Sequence, residues 1–359
     1  MNAHQLFAGR AYVFNESSEL LTDSAEFILI EKLSQRFKIP FSLLSADALG
    51  GTEDFDIYKL NSLGKIYLLK LSFDSSNPQI INESNILKNN ESIVIQKHVD
   101  SGEVSIGQPL RFLLTELDYF NSLEDYGISF PISRIGSLLA SFNTYESLKG
   151  GFSFQEYCSR LLDKIDPNKW STFVRGSVFS FYEYKKIMTV YQSLLKELNS
   201  LMTEDFLNSD NLINPNIGPD NISSNGTVFR FLDCSDSFRS SSILGLCFIC
   251  INYGLRKKAR KKLLKVYCGI ERIDYKDIKE EFKKSMKVAC CIFLFDSFYK
   301  FIIEECIFES SRPKKIISLN LTLSNCFDIC SCLDCYEDIR LPIKEMFIRP
   351  IIEDAEDRI

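Results

Sequence analysis

The stretch Leu212–Cys234, LINPNIGPDNISSNGTVFRFLDC, decides the reading of this chain. Pro215, Gly218, Pro219 and Gly226 interrupt any helix there. What remains is a tight loop, a short strand ending at Ile222, a turn at Ser224-Asn225-Gly226 and a second strand ending in Asp233. Such a hairpin presents Asn221 and Asp233 near each other at its open end. An amide oxygen and a carboxylate in that position are hard oxygen ligands of the kind Mg²⁺ prefers.

Upstream of the hairpin the pattern is first sheet and then helix. Ser24–Arg36 has helical apolar spacing with a Ser cap, and Pro40 follows its end. Short strand-like runs come next. Phe41–Leu44 meets a turn at Gly50-Gly51, Phe55–Leu60 alternates, Leu63-Gly64 makes a second turn, and Ile66–Phe73 is rich in strand formers. Asn82–Asn89 reads as a short helix, and Ser92–Gln96 and Arg111–Leu117 as further strands. After Tyr119 the periodicity turns helical, in Ile132–Phe142, Phe154–Leu162 and Val178–Leu201. Beyond the hairpin, helical patterns resume at Ile243 and dominate to Glu309.

Composition excludes several classes. The chain has 359 residues, which suits two lobes better than one small core. No apolar run approaches the roughly 18 residues needed to cross a bilayer, so no membrane span is expected. The N-terminus, MNAHQLFAGR, lacks a basic region followed by an apolar stretch, which points to a cytoplasmic protein. In a reducing compartment the 12 cysteines are expected to be thiols, several of them buried. The only histidines are His4 and His98, so a site with several His ligands cannot be built. A net charge of -6 gives no global reason to expect nucleic-acid binding.

The hairpin resembles the catalytic hairpin of the aminoglycoside phosphotransferases and choline kinases. That family reads h-H-G-D-h-x-x-x-N-h, then a turn, then a strand ending h-h-D, where h is apolar. Ile217, Gly218, Pro219, Asp220, Asn221 and Ile222 fit, as do Phe231, Leu232 and Asp233. The family histidine is Asn214 here, and the family's catalytic aspartate is Asn216. A further family Asp has no equivalent among Ser240–Leu246. The upstream pieces agree in order. Lys70 in YLLKL resembles the strand lysine that grips nucleotide phosphates, and Glu83 in INESNIL the helix glutamate that pairs with it. Gly50-Gly51-Thr52 stands where the family has its phosphate-covering turn. Leu114–Asp118, with Glu116 at its centre, stands where the hinge offers backbone groups to adenine. Ile135–Asn143 resembles the helix after the hinge.

The resemblance implies ATP and Mg²⁺ as cofactors, with Asn221 and Asp233 as metal ligands and Lys70, Glu83, Gly50, Gly51 and Glu116 at the nucleotide. It implies transfer to a hydroxyl of a small molecule. Asn216 alters that expectation, because asparagine carries no charge and cannot take the acceptor's proton. General-base catalysis is worth about 10² to 10⁴-fold. Asp220 and Asp236 are near in sequence and are the candidate substitutes.

Two further features stand outside the hairpin. Cys326, Cys330, Cys332 and Cys335 cluster in NCFDICSCLDC, but no second C-x-x-C pair completes a zinc spacing, so no zinc is expected. Arg256–Lys265, RKKARKKLLK, reads as a solvated helix face, with polyanion or nucleic-acid docking as its alternative.

The expected fold is α+β and kinase-like. A small sheet-based lobe spans residues 1–117, and a larger helical lobe spans 118–359 and carries the hairpin at 212–234. The expected function is that of a divergent phosphotransferase-like protein that binds nucleotide, transfers phosphate weakly or not at all, and acts through a protein partner. The alternative is an active ATP-dependent small-molecule phosphotransferase.

Overall fold

The structure is a computed structural model. It describes residues 25–38, 48–51, 55–72, 74–105, 109–117, 121–122, 134–164, 166, 181–218, 221–224, 227–307 and 329–345. By contacts the chain divides into two compact units. The first is Met1–Asp125 with Ser141–Gly151 and Asp220–Ser237. The second is Tyr126–Ala140 with Phe152–Pro219 and Phe238–Ile359. The hairpin segment therefore belongs partly to each.

The first unit is organised by a five-stranded sheet of order β1-β2-β3-β5-β4. Its strands are β1 (Ala48–Gly51), β2 (Asp56–Ser62), β3 (Lys65–Ser72), β4 (Lys97–Ser105) and β5 (Pro109–Leu117), and every pairing is antiparallel. β2 and β3 are joined at Leu63-Gly64, where φ is 51° and 76°. Two consecutive positive φ values make the two-residue turn whose twist matches the strands, and Gly64 adopts it without a Cβ penalty.

Helix α1 (Ala25–Phe37) covers one face of the sheet. Its Leu33 packs with Tyr58, Leu60, Tyr67, Leu69, Leu71, Leu110, Phe112 and Leu114. Side chains alternate along a strand. Because Tyr67, Leu69 and Leu71 face α1, Lys70 faces the other way.

Helix α2 (Pro78–Asn89) lies between β3 and β4 in sequence. The Asn77 side chain accepts from the Ile80 N–H, and Pro78 occupies the first turn, where its missing N–H costs nothing. A second small sheet in this unit joins β6 (Asn121–Ser122), β9 (Ile222–Ser224) and β10 (Phe229–Phe231).

Several sequence expectations need correction. Gly50-Gly51 is not a turn but the end of β1, opposite Ile57 and Asp56. The ladder slips between Ala48 and Gly50, an irregularity glycine tolerates well. Phe41–Leu44 lies outside the described residues. Ser92–Gln96 is a turn with a single bridge from Ile95 to Phe231, not a strand. The strand is instead β4, KHVDSGEVS, whose polar sequence hid it. It lies at the sheet edge, where charge and partial exposure are tolerated. In the hairpin, the first strand begins at Ile222 rather than ending there, and the second ends at Phe231, two residues before Asp233.

The second unit is mostly helix. It contains α4 (Phe154–Lys164), α5 (Phe181–Leu201), α6 (Ser242–Asn252), α7 (Lys257–Glu271), α8 (Tyr275–Ile307) and α9 (Tyr336–Ile343), and α3 (Ile135–Glu146) begins in it. A small sheet of order β7-β11-β8 is formed by Phe152–Ser153, Phe238–Ser240 and Asn211–Ile213. Every residue from Ile243 to Ile251 in α6 is buried. A helix apolar all round is a core helix, which accounts for the longest apolar run in the sequence. Among the described residues no helix is long and apolar enough to cross a membrane.

Candidate functional site

Strand alternation aims Lys70 away from α1, and three groups of the first unit meet its ammonium. Its Nζ donates to Glu83 Oε2 at 2.6 Å and to Asp233 Oδ1 at 2.9 Å. It also lies 5.1 Å from the Phe55 ring centroid. Lys70 is 4% exposed and Glu83 1%, so both ions have left water. An isolated buried charge is expensive, and here a shared cation between two carboxylates supplies the compensation.

Backbone N–H groups also reach both carboxylates. Glu83 Oε1 accepts from the Cys234 N–H at 3.3 Å, and Asp233 Oδ1 from the Ser235 N–H at 3.1 Å. For Lys70, burial works against the charge, but the Asp233 and Glu83 carboxylates outweigh it and hold the ammonium charged. For Glu83, burial and the neighbouring Asp233 charge outweigh Lys70 and push the carboxyl up to about 7. Burial opposes ionisation of Asp233 as well, yet Lys70 and the Ser235 hydrogen bonds hold it below the usual carboxylate range. One cation cannot fully neutralise two carboxylates, and the more deeply buried Glu83 takes the proton first.

Helix α2 holds the Asp233 segment through one polar stripe. Asn82 Nδ2 donates to the Ser235 and Ser237 carbonyls at 3.0 and 2.9 Å, and Gln79 Nε2 to Asp236 Oδ1 at 2.7 Å. Gln79, Asn82 and Glu83 are spaced i, i+3, i+4, which places them on one helix face. From α3, the Tyr145 hydroxyl meets Ser237 Oγ at 2.5 Å. Sequence reasoning singled out Glu83 but missed Gln79, Asn82 and Tyr145. The legible signal was the run of polar residues at helical spacing in PQIINESN.

Asn221 sits just before β9, and its carbonyl accepts from the Leu232 N–H at 2.9 Å. Phe231 pairs with Ile222, so Asn221 and Asp233 both lie beyond the last ladder pair, at the hairpin's open end. Gly50, Ile57 and Lys70 form one cross-strand row. Gly50 is thus two strands, about 10 Å, from Lys70.

Glu116 is a strand residue. It lies inside β5 opposite both Tyr67 and Lys97, so its backbone belongs to the sheet. Its carboxylate takes Lys65 at 2.7 Å and Lys97 at 3.5 Å.

The loop before the hairpin belongs to the second unit. Asn214 is 1% exposed, and its Oδ1 accepts from the Asn216 N–H at 2.9 Å. The Asn216 carbonyl accepts from the Gly218 N–H at 2.8 Å, and the Pro215 carbonyl from Asn252 Nδ2 at 2.8 Å. An Asn side chain bonding the backbone two residues on is a turn-former, so the position matching the family histidine does local folding work here. Asp220 lies outside the described residues.

The other singled-out features lie elsewhere in the second unit. Lys257, Lys258, Lys261, Lys262 and Lys265 are exposed on α7. Cys330 is buried, Cys332 and Cys335 are half-buried, and Cys326 lies outside the described residues.

Comparison with solved structures identifies the architecture. A thermostable variant of aminoglycoside phosphotransferase APH(4)-Ia, in ternary complex with AMP-PNP and hygromycin B, superposes with a TM-score of 0.53 at 12% identity. The match covers 85% of this chain and 98% of that one. Choline kinase LicA from Streptococcus pneumoniae matches with a TM-score of 0.53 at 14% identity, over 84% and 99% of the two chains. The chain has the bilobal kinase-like α+β fold. The GDP complex of wild-type aminoglycoside 2'-phosphotransferase-IIIa agrees, with a TM-score of 0.51 at 14% identity over 86% and 99%. No protein-family model and no curated protein sequence matches the chain. At these identities the likeness establishes fold alone.

Proposed function

We propose that this protein binds Mg²⁺-nucleotide and has lost efficient phosphoryl transfer, acting through a protein partner as a pseudokinase. The observation that carries the reading is the Lys70–Glu83–Asp233 cluster, taken together with the uncharged residue that the sequence has at position 216. The kinase-like fold supports it, since solved structures of that fold hold AMP-PNP or GDP.

Phosphoryl transfer relies on a lysine at the phosphates, a glutamate holding that lysine, and oxygen ligands for the metal. Lys70 and Glu83 fit the first two roles. Asp233 and Asn221 would hold Mg²⁺, one carboxylate and one amide oxygen being a donor set the ion accepts. The metal would supply charge neutralisation at the phosphates. Asp233 would then exchange its Lys70 contact for the metal. Without a carboxylate at position 216 the acceptor hydroxyl has no base there, while positioning and metal charge would sustain only weak transfer.

The alternative is an active small-molecule phosphotransferase that uses another carboxylate as base. Calorimetric titration of Mg²⁺-ATP into wild type, Lys70→Ala and Asp233→Ala, followed by incubation with labelled ATP and candidate acceptors, tests both readings. Wild type is expected to bind, both variants to bind at least tenfold more weakly, and aminoglycosides and choline to remain unlabelled. Absence of binding at millimolar nucleotide refutes the nucleotide role. A labelled small-molecule product that disappears in Asp233→Ala establishes the alternative.

A further inference from the structure

Six cysteines gather in the second unit around α8 and the 3₁₀ turn Ile329–Cys332. Cys290, buried on α8, places its Sγ 3.8 Å from Sγ of the half-buried Cys332. Cys330 also lies within hydrogen-bonding reach of Cys290. Cys247, Cys291 and Cys335 lie close enough to interact with the same group. Among the described residues no group of three His, Cys, Asp or Glu side chains is placed to hold a metal ion. What the arrangement does offer is two sulfurs in contact, one of them reachable from solvent.

We propose that Cys332 and Cys290 form a peroxide-sensitive dithiol pair that closes to a disulfide, tying the Ile329–Cys332 turn to α8. Cys332 is suited to be the attacking thiol. The hydrogen bond with Cys290, helped by the nearby Arg260 and Lys287 cations, outweighs burial and holds its thiol below the usual range. The thiolate is the nucleophile, and positive surroundings favour it. Cys290 is suited to resolve. Its contacts with Cys330 and Cys332, together with burial, keep it protonated.

The turn is already held in place. Glu197 on α5 accepts the Asp334 and Cys335 N–H groups at 3.2 Å each, and Lys287 on α8 pairs with Asp334 at 2.5 Å. Closing the gap therefore needs side-chain rotation and a small shift rather than refolding.

The chemistry balances with hydrogen peroxide as oxidant. The Cys332 thiolate attacks one peroxide oxygen, the O–O bond breaks, and hydroxide leaves, giving the sulfenic acid. The Cys290 sulfur then attacks the Cys332 sulfur and the S–O bond breaks. The departing hydroxide takes the Cys290 proton as water. In sum, two thiols and one peroxide give one disulfide and two waters.

The full reduced chain, treated with a few equivalents of hydrogen peroxide, is to be read by intact mass and by non-reducing peptide mapping. The expected result is loss of two hydrogens, a peptide linking Cys290 to Cys332, and reversal by dithiothreitol. Tm is expected to rise by roughly 5 °C, because a long loop is closed. Cys332→Ser abolishes the link. Cys290→Ala abolishes the link and, with the contact to Cys332 gone, leaves a more slowly formed Cys332 sulfenic acid that a dimedone probe traps, and Cys268→Ser changes nothing. A link from Cys290 to Cys330, an over-oxidised Cys332 without a link, or no oxidation at all overturns the proposal. The wild-type map decides even if a variant fails to fold.

Discussion

The two ends of the Leu212–Cys234 segment are built on different principles. At the Asp233 end, three charged side chains from β3, α2 and the residues after β10 converge, with Lys70 between Glu83 and Asp233 at 2.6 and 2.9 Å. At the Asn214–Gly218 end, the work is done by neutral groups, most of them within a few residues of one another, with Asn252 reaching the Pro215 carbonyl. The first cluster ties distant parts of the chain together, so removing one member strands another charge in a dry place. The second is a local turn, where one short polar residue can replace another at modest cost. Charge stands where distant parts of the chain meet, and the local turn is built from neutral groups. Lys70, Glu83 and Asp233 therefore have a structural reason to be present, apart from any bound nucleotide.

Lys70→Met puts that contrast under the hardest test. It leaves the buried Glu83 and the half-buried Asp233 carboxylates without their cation, and the expected loss is about 3–5 kcal/mol of stability, read by urea unfolding with circular dichroism. A loss below about 1 kcal/mol would show that the cluster is not structural, and the contrast between the two ends would collapse.

Glu83→Gln sharpens the electrostatic half. The folded Glu83 carboxyl sits at about 7, above its ordinary value of 4.5. The group therefore contributes stability that is present below pH 4.5 and lost as pH rises through 7. Lys70 titrates above this window and Asp233 below it. Wild type should lose on the order of 3 kcal/mol between about pH 4.5 and 8 relative to Glu83→Gln. Parallel stability–pH curves for the two proteins count against the assignment.

Asn214→Ala probes the neutral end. It removes the acceptor of the Asn216 N–H in a buried turn, so about 1–2 kcal/mol of stability is expected to go. Mg²⁺-ATP affinity should stay within about twofold, a difference of less than 0.5 kcal/mol. A tenfold loss of affinity would mean that the turn also serves the nucleotide.

The smallest effect is expected from Asn216→Asp. The variant keeps the backbone turn bonds at position 216 and exchanges one side chain for another of nearly the same shape, so stability should change by less than about 1 kcal/mol. No acceptor phosphorylation should appear in a labelled-ATP assay. Vigorous transfer by this variant would mean that Asn216 alone withholds catalysis and that every other part of a working kinase is in place.

Much of this was legible in local pattern. The two-residue turn at Leu63-Gly64, the helical period within Ile132–Phe142, the apolar run Ile243–Ile251 and the presence of a hairpin in the Leu212–Cys234 segment all rest on interactions within a few residues. Local spacing reports such interactions directly. The edge strand β4 was hidden, because an edge position relaxes the apolar alternation by which strands are recognised. Gly50-Gly51 was misplaced because glycine marks a slipped ladder as readily as a turn.

For the site, the sequence by itself determined which residue types are present: a lysine, a glutamate and an aspartate in that order along the chain, and asparagine at position 216. Only the tertiary structure decided what they do to one another. Whether Lys70 meets Glu83 and Asp233, and whether Glu83 is dry enough to hold a proton near neutrality, depends on groups 13 and 163 residues away from Lys70 along the chain. So does the meeting of Cys290 with Cys332, 42 residues apart. Electrostatic and covalent chemistry depend on distance and desolvation, and for residues this far apart in the chain both are set by packing.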